Sequence, residues 1–343
     1  MGRHTYRIRE IAVQAGLSEA TVDRVLNHRG NVRASTEREV RQAIADLERQ
    51  QAQLRLSGRT FIVDVVMQTP QRFSTAVRSA LEAELPSLRP AVIRARFHLR
   101  ETAPVAEIVA TLDQLPRKRS QGVILKAPAV PEVAAAVNRL VSAGVPVVTL
   151  VTDIPGSRRS AYVGIDNRAA GATAAYLLTQ WLGDAPGNIL VTVSSTSFLG
   201  EEERETGFRD TMRDLQPHRR LVDVTETGGI DTAQQSVVAA ALADDPGIRA
   251  VYSIGGGNIA TVGAFQELGR PCAVFIAHDL DHDNTRLLRD GHISAVLHHD
   301  LHDDMRRACQ TIMRAHKALA GPVVVWPSNI QIVTPYNVPG QSA

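Results

Sequence analysis

The first 48 residues predict short amphipathic helices rather than strands. Over residues 7–15, apolar side chains recur at intervals of three and four residues, which is the spacing of one helix face. Gly16 permits a sharp turn, and Ser18 is a favourable N-cap for a second helix over residues 19–26. A helix, a glycine turn and a short second helix have the spacing of a helix-turn-helix, whose second helix can enter the major groove of DNA.

A third helix and a polar segment follow. Thr36 and Glu39 form a capping box ahead of an apolar stripe over residues 40–47, which predicts a longer helix. The next stretch, RQQAQLRLSGRT, is polar and contains a glycine near its end, which indicates a linker. The predicted boundaries are therefore a headpiece over residues 1–48 and a hinge or linker over residues 49–60.

From residue 61 onward, apolar strands alternate with amphipathic helices. The strand candidates are residues 61–67, 92–99, 122–127, 145–151, 188–194, 221–227, 250–255, 273–279 and 293–299. Helical segments between them include residues 74–85, 105–115, 132–143, 168–182 and 232–242. This alternation is typical of parallel sheets covered by helices on both faces. Because there are too many strands for one small sheet, we expect two α/β lobes.

Charge is unevenly distributed along the chain. Residues 1–60 hold 11 arginines, no lysine and 7 acidic residues, a net charge of +4, whereas the whole chain has a net charge of +2. A small basic head on a near-neutral body is typical of a segment that meets a polyanion, although many solvated helices are also rich in arginine.

Length and composition narrow the class of protein. A chain of 343 residues, 44% of them hydrophobic, can bury a sizeable core and form more than one domain. No run approaches the ~18 apolar residues that a membrane span needs. Arg7, Arg9 and Glu10 lie where a secretory signal needs its apolar core, so we expect no export. Cys272 and Cys309 form neither a disulfide framework nor a metal motif, as is typical of the reducing cytoplasm.

Longer strings resemble a known family. IREIAVQAGLSEATVDRVLN (residues 8–27) and NVRASTEREVRQAIADL (residues 31–47) resemble the headpiece of the LacI family of bacterial transcription regulators. In the body, VPVVTLVTDIPGSRRSAYVGIDNRAAGATAAYLL (residues 145–178) is similar to the periplasmic sugar-binding fold that serves as the effector domain of this family. Together the two resemblances cover almost the whole chain.

The resemblance implies an architecture. It is an all-helical helix-turn-helix headpiece followed by a two-lobed α/β domain of the type I periplasmic-binding-protein kind, over residues 61–338. Lobe 1 is expected at about residues 61–164 and 300–326, and lobe 2 at about residues 165–297 and 327–338.

The resemblance also implies a function. We expect a sequence-specific, DNA-binding transcriptional regulator, a repressor, that acts as a homodimer on double-stranded, pseudo-palindromic operator DNA. A small sugar or polyol effector between the lobes is expected to control operator affinity. The expected location is the bacterial cytoplasm, at the nucleoid and not at a membrane.

Individual DNA contacts follow from the same match. Glu19, Ala20 and Arg24 fall where family members present side chains to base edges, and arginine pairs bidentately with guanine. The positions that anchor phosphates in the family are Ser18, Thr21, Asn27, Asn31, Arg33 and Thr36. The alternative is that Arg24 is only a solvent-exposed residue on the helix surface and contacts no base. Asp23 replaces the serine usual in the family, and a carboxylate close to phosphates costs affinity.

The hinge departs from the family pattern. Family members have a Tyr-x-Pro-Asn string and then a hinge helix that carries a leucine into the minor groove. This chain lacks that tyrosine and proline, and Leu56 falls at the leucine position, with Leu54 next in line. Two interpretations stay open: a helix that inserts Leu56 and bends the DNA, or a simple linker without an ordered helix.

Polar residues at strand ends imply an effector site, because open α/β sheets bind ligands there. The positions that match effector contacts or enter the same cleft are Phe73, Asp153, Arg204, Asn258, Asp279 and His299. A structural ion pair between Arg204 and Asp279 is the competing interpretation. Since their charges offset each other, a neutral ligand rich in hydroxyl groups is favoured. Val151 replaces an acid and His299 a glutamine of sugar-binding relatives, which favours a modified sugar or polyol.

Other kinds of site have less support. SIGGGN (residues 253–258) lacks the glycine spacing of a dinucleotide loop. AVLHHDLHDD (residues 295–304) is compatible with a metal site, but without a second cluster a solvated turn and helix start is favoured. We expect no metal, no cofactor and no enzymatic activity. The alternatives are a transporter's solute-binding protein, which predicts a signal peptide, and a Rossmann-type enzyme, which predicts a phosphate loop; the sequence has neither.

Overall fold

A helical headpiece precedes two β-sheets flanked by helices. The computed structural model describes residues 6–27, 29–30, 32–56, 60–89, 91–225, 227–323 and 326–339, with the backbone alone for residues 49–56, 232 and 233. The order of elements confirms the predicted fold class.

The headpiece contains α1 (Ile8–Ala15), α2 (Glu19–Leu26) and α3 (Ala34–Leu56). Gly16 ends α1 at φ +67°, a left-handed conformation that glycine adopts without strain, and this turn sets the angle between α1 and α2. The apolar stripes of the helices meet in a small core formed by Ile11, Ala12, Val22, Val40 and Ala43.

Helix α3 differs from the prediction at both ends. It begins at Ala34, so Thr36 lies within its first turn and is not its N-cap, and the Arg33 carbonyl accepts the first helical hydrogen bond, from the Glu37 amide. Its backbone remains helical to Leu56, so most of the segment predicted as a linker continues the third helix. The good helix formers of QAQLRL explain why the helix is not interrupted there.

Lobe 1 is built on a five-stranded sheet with the order β2-β1-β3-β4-β5, in which all pairs are parallel. Its strands are β1 (Thr60–Gln68), β2 (Val92–Arg100), β3 (Gly122–Lys126), β4 (Val147–Leu150) and β5 (Ala161–Val163). Its helices are α4 (Gln71–Glu84), α5 (Val105–Gln114) and α6 (Pro131–Ser142), with a 3-10 turn at Leu85–Ser87. The short β5 was not predicted, since three residues are too few to show a period.

Lobe 2 is built on a six-stranded sheet with the order β11-β10-β9-β8-β6-β7, parallel except for the β10–β11 pair. Its strands are β6 (Asn188–Thr192), β7 (Leu221–Val224), β8 (Ile248–Ser253), β9 (Val274–His278), β10 (Ala295–His298) and β11 (Gln331–Val333). Its helices are α7 (Asn167–Leu182), α8 (Leu199–Leu215), α9 (Asp231–Asp244), α10 (Asn258–Glu267) and α11 (His282–Arg289).

The chain passes between the lobes more than once. After β10 of lobe 2, helix α12 (Leu301–Ala315) packs Met305, Cys309 and Ile312 into the core of lobe 1. The segment that returns toward β11 forms a parallel bridge between Ile165 and Ser328. These crossings place the carboxyl ends of both sheets around one shared cleft.

The described residues also bear on membrane insertion and metal binding. None of their helices is long and apolar enough to cross a membrane. Within the same ranges, no group of three or more His, Cys, Asp and Glu side chains is arranged to hold a metal ion.

Candidate functional site

The outer face of α2 displays the residues predicted to read bases. Glu19, Ala20 and Arg24 are exposed, while Val22 is fully buried against the headpiece core. Ser18 caps the helix, because its Oγ accepts a hydrogen bond from the Thr21 amide at 3.2 Å. The helix therefore keeps its polar residues available on the surface.

Asp23, the residue that departs from the family pattern, is occupied within the headpiece. Its Oδ1 accepts from Asn27 Nδ2 at 2.7 Å, and its Oδ2 lies 3.4 Å from Arg29 Nη1. The negative charge on α2 is thus partly offset before any phosphate approaches. The side-chain amide of Asn27, a predicted phosphate contact, donates to Asp23 in this structure.

The remaining predicted DNA contacts lie around the start and end of α3. Arg33 is exposed just before the helix, and Thr36 is half-buried in its first turn. Asn31 lies outside the described residues, and so does the side chain of Leu56, of which the backbone alone is helical.

A cavity lies between the lobes at the carboxyl ends of β1, β3, β4, β6, β8 and β9. Its volume is about 80 Å³, several times the roughly 10–15 Å³ that one water molecule requires by the same measure. Its polar lining includes Gln68, Arg72, Lys126, Ser194, Glu201, Arg204 and Asp279, and its aromatic lining is Phe73 and Phe198. The cavity thus has the position and the mixed lining of a small-molecule site.

Arg204 is held in this cavity by unusually close helix packing. A Cβ at Gly171 of α7 would lie 1.9 Å from the Arg204 carbonyl oxygen, and one at Gly207 would lie 2.0 Å from the Arg168 carbonyl oxygen. The Arg204 guanidinium donates from Nε to Asn167 Oδ1 at 2.8 Å and from Nη1 to the Ile254 carbonyl at 3.3 Å. Among the described residues, its buried Nη2 has no hydrogen-bond partner.

Asp279 follows β9 and adopts a left-handed conformation, with φ +64°, which is rare outside glycine. Burial raises the pKa of its carboxyl, but His299 and Arg204 outweigh burial and hold the pKa well below its usual range. The side chain therefore remains a carboxylate at neutral pH and can accept hydrogen bonds from hydroxyl groups.

His299 stands behind Asp279 and does not line the cavity, although the sequence predicted a direct contact with the effector. It is fully buried, its Nε2 lies 3.5 Å from Asp279 Oδ1, and its Nδ1 is bonded to Asp304 Oδ2. Burial lowers the pKa of His299, but the two carboxylates outweigh burial and raise the pKa to about 9. The imidazolium thus orients Asp279 from the far side of the site.

Two further predicted contacts also lie away from the cavity lining. Asp153 forms an ion pair with Arg159 through both carboxylate oxygens and accepts from Thr149 Oγ1 at 2.8 Å. Asn258, at the start of α10, donates to Asn284 Oδ1 at 2.7 Å. Both side chains have structural partners, and neither lines the cavity.

Phe73, by contrast, lies in the lining as predicted, and so do Arg204 and Asp279. The competing interpretation, a direct ion pair between Arg204 and Asp279, is not observed: in the part of the chain that the structure describes, no such pair lies within 4.0 Å. At longer range, the positive charge of Arg204 lowers the pKa of the Asp279 carboxyl.

Lys126 is a lining residue that the sequence did not reveal. It ends β3, is 9% exposed, and donates from Nζ to the Gln68 carbonyl at 3.3 Å. Its ammonium lies 4.1 Å from the centroid of the Phe198 ring, across the cleft. Burial lowers the pKa of Lys126 to about 8. The one available signal was a lysine at the end of the apolar run GVILKA.

Arg72, also absent from the prediction, ties the two lobes together. From the start of α4 in lobe 1, its Nε lies 2.9 Å from Asp281 Oδ2 in lobe 2. Its Nη1 donates to the Gly229 carbonyl at 2.9 Å and its Nη2 to the Gly255 carbonyl at 3.3 Å. Arg72 therefore makes three polar contacts that join lobe 1 to lobe 2 at the cleft.

Comparisons with known sequences identify both parts of the chain. A family described as "Bacterial regulatory proteins, lacI family" matches residues 7–48. A family described as "Periplasmic binding protein domain" matches residues 62–321. No curated protein sequence matches the chain significantly.

Solved structures resemble the two-lobed part. The glucose-galactose binding protein GanP from Geobacillus stearothermophilus is 21% identical, with a TM-score of 0.72 over 82% of this chain and 99% of its own. A solute binding protein from Burkholderia graminis C4D1M in complex with D-arabinose is 18% identical, with a TM-score of 0.71 over 83% and 98%. A candidate LacI transcriptional regulator from Bacteroides fragilis is 18% identical, with a TM-score of 0.68 over 82% and 98%. At such identities the likeness shows the fold.

Proposed function

We propose, from the premise that the chain belongs to the lacI family of bacterial regulatory proteins and to the periplasmic binding protein domain family, that this DNA-binding regulator is a cytoplasmic repressor controlled by a sugar-like effector. The observation that carries the proposal is one cavity, lined by Arg204 and Asp279, between two lobes that follow a helix-turn-helix.

DNA recognition belongs to the headpiece. Arg24, exposed on α2, would pair with a guanine in the major groove, and Arg33 would contact phosphate. One small headpiece offers little interface, so two headpieces of a homodimer would read the halves of a pseudo-palindromic operator. The net charge of +4 over residues 1–60 adds a salt-dependent attraction to DNA.

Effector control belongs to the cleft. Because lining residues come from both lobes, a bound molecule changes the free energy of lobe closure, and the crossings near Ile165 and Ser328 transmit that change. An effector that alters operator affinity must have its own affinity altered equally by the operator. The families matched are generally not enzymes, and we propose no catalytic activity for this chain.

Asp279→Ala tests the proposal. The variant loses the carboxylate that would accept from ligand hydroxyls, so sugar binding should weaken by about 2 kcal/mol or more, roughly 30-fold. Asp279→Asn, which tolerates the left-handed backbone better, should change binding in the same direction. Calorimetry against a panel of sugars, polyols and sugar acids measures ligand binding, and fluorescence anisotropy measures binding to a duplex that the parent selects from a random pool.

The matched control is Asp290→Ala, which removes an exposed acid from the same lobe and should leave ligand binding unchanged. Duplex binding should persist in all three variants. If both Asp279 variants bind ligand as tightly as the parent, the effector site lies elsewhere. If the parent selects no duplex, the assignment as a DNA-binding repressor is wrong.

A further inference from the structure

Two buried cations reach the cavity from opposite lobes without a carboxylate partner. Lys126 comes from lobe 1 and Arg204 from lobe 2. Within the described ranges, each makes hydrogen bonds to neutral acceptors only: the Gln68 carbonyl for Lys126, and Asn167 Oδ1 and the Ile254 carbonyl for Arg204. Buried charges are usually paired, because an unpaired charge is costly to remove from water.

Two acids of the cavity lining, Glu201 and Asp279, contact groups other than these two cations. Glu201 accepts from the Ser194 amide at 2.8 Å, from Ser194 Oγ at 2.5 Å and from the Ser195 amide at 3.3 Å. Asp279 faces His299. In the described part of the chain, neither carboxylate forms an ion pair or a hydrogen bond with Lys126 or Arg204.

A third acid, Asp281, is paired with Arg72 across the cleft, and Glu101 accepts from the Gln71 amide at the exposed rim. The prediction of a neutral ligand from the sequence rested on one arginine and one aspartate in the cleft, Arg204 and Asp279. It left out Lys126, which the sequence did not place in the cleft, and the imidazolium of His299, which offsets Asp279.

We propose that the ligand of this cleft is a sugar acid, whose carboxylate is bound by Lys126 and Arg204 and whose hydroxyl groups donate to Asp279. The proposal rests on the proposed function, since it names the chemical class of the effector at the same site. A carboxylate supplies the acceptors that the free donors of Lys126 Nζ and Arg204 Nη2 lack.

The protonation of Lys126 supports this assignment and supplies a second measurement. Lys126 faces the acids Glu201 and Asp279 and the cations Arg204 and Arg72, and burial dominates, so that its pKa falls to about 8. A carboxylate bound beside the amine favours the ammonium form. Binding of a sugar acid at pH 8 should therefore take up protons, whereas binding of a neutral sugar should not.

The experiment is calorimetry on the full chain with matched pairs: D-gluconate against D-glucitol, and D-glucuronate or D-galacturonate against D-glucose or D-galactose. At least one acid should bind ten or more times tighter than its neutral partner and should change binding to the selected duplex. Lys126→Gln should abolish that preference. Lys118→Gln, at an exposed lysine of the same lobe, should retain it.

Two buffers with different ionisation enthalpies, used at pH 8 on the parent, measure proton uptake and depend on no variant. Uptake with the acid and none with the neutral partner supports the proposal even if Lys126→Gln fails to fold. A neutral sugar that binds as tightly as its acid and changes DNA binding overturns this inference and leaves the proposed function intact. Failure of all panel members to bind overturns both.

Discussion

Removing the Arg72 side chain should open the ligand-free protein. Its ion pair with Asp281 and its hydrogen bonds to the Gly229 and Gly255 carbonyls all run from lobe 1 to lobe 2. The side chains of Arg72 and Asp281 are only 18% and 3% exposed, so the ion pair is shielded from solvent when the lobes are closed. Arg72→Ala deletes all three contacts and leaves the fold within each lobe untouched.

The magnitude follows from the kinds of contact. A hydrogen bond that involves a charged group contributes about 1.5–3 kcal/mol. The cost of removing the Asp281 carboxylate from water offsets part of the free energy gained from the ion pair. We therefore expect the closed state to lose about 2–4 kcal/mol relative to the open state. A loss of about 2 kcal/mol changes the ratio of closed to open molecules by roughly 30-fold. Burial raises the pKa of Asp281, so proton uptake limits the penalty in those variant molecules that stay closed.

Small-angle scattering without ligand measures the change, since an open molecule has a larger radius of gyration. Arg78→Ala is the matched control, because Arg78 lies on the same helix but its partners, Glu82 and the Phe97 ring, belong to lobe 1. Superimposable scattering curves for Arg72→Ala, Arg78→Ala and the parent would refute the reasoning, and closure would then be attributed to other contacts between the lobes.

Two further predictions concern the headpiece and the histidine behind the cleft. Arg24→Ala should cost ~1–3 kcal/mol at the selected duplex and relax base preference there, whereas Arg33→Ala should weaken selected and random duplexes alike; anisotropy titrations against both separate the two roles, and equal losses on both duplexes for Arg24→Ala would leave it as a solvating residue. Between pH 6.5 and 8, the contribution of His299 to stability should fall as pH rises, because the raised pKa of about 9 keeps folded His299 protonated while the unfolded imidazole loses its proton above about 6.5. Urea unfolding at pH 6.5 and pH 8 measures this, and His299→Gln should reduce the pH dependence; an unchanged slope in that variant would assign it to other groups.

Much of the fold could be predicted because its strands are buried and continuous. Residues 63–67 of β1 are all buried, as expected for a central parallel strand, and all of them except Asp64 are apolar, so the strand is visible in the sequence. The order of strands in each sheet could not be predicted, since it depends on pairings between distant segments. Likewise, the apolar stripe over residues 40–47 predicted the position of α3, but the mostly polar sequence that follows it carries no such stripe, and the helix continues to Leu56.

The candidate site was predicted in part, and Lys126 shows why the rest was missed. A lysine at the end of an apolar strand is compatible with a side chain that extends to solvent, because its stem is apolar and its head can reach water. The ring of Phe198, 72 residues further along the chain, covers that head and turns an ordinary strand end into a buried cation. A pairing between lobes of this kind is set by tertiary structure and leaves no local pattern.

His299 shows a second limit of the sequence, because the position of a residue along the chain does not reveal its partners in space. The end of β10 does bring it to the cleft, yet its ring points to Asp304, in the first turn of α12, and only its Nε2 faces Asp279. Asp304 in turn accepts from Ser328, whose neighbour across the crossing is Ile165. The Asp279 carboxylate, which lines the cavity, is thus joined through His299 and Asp304 to the segments that cross between the lobes. A substitution at His299 should therefore alter the response of the lobes as well as ligand affinity, which a residue that only touches the ligand would not do.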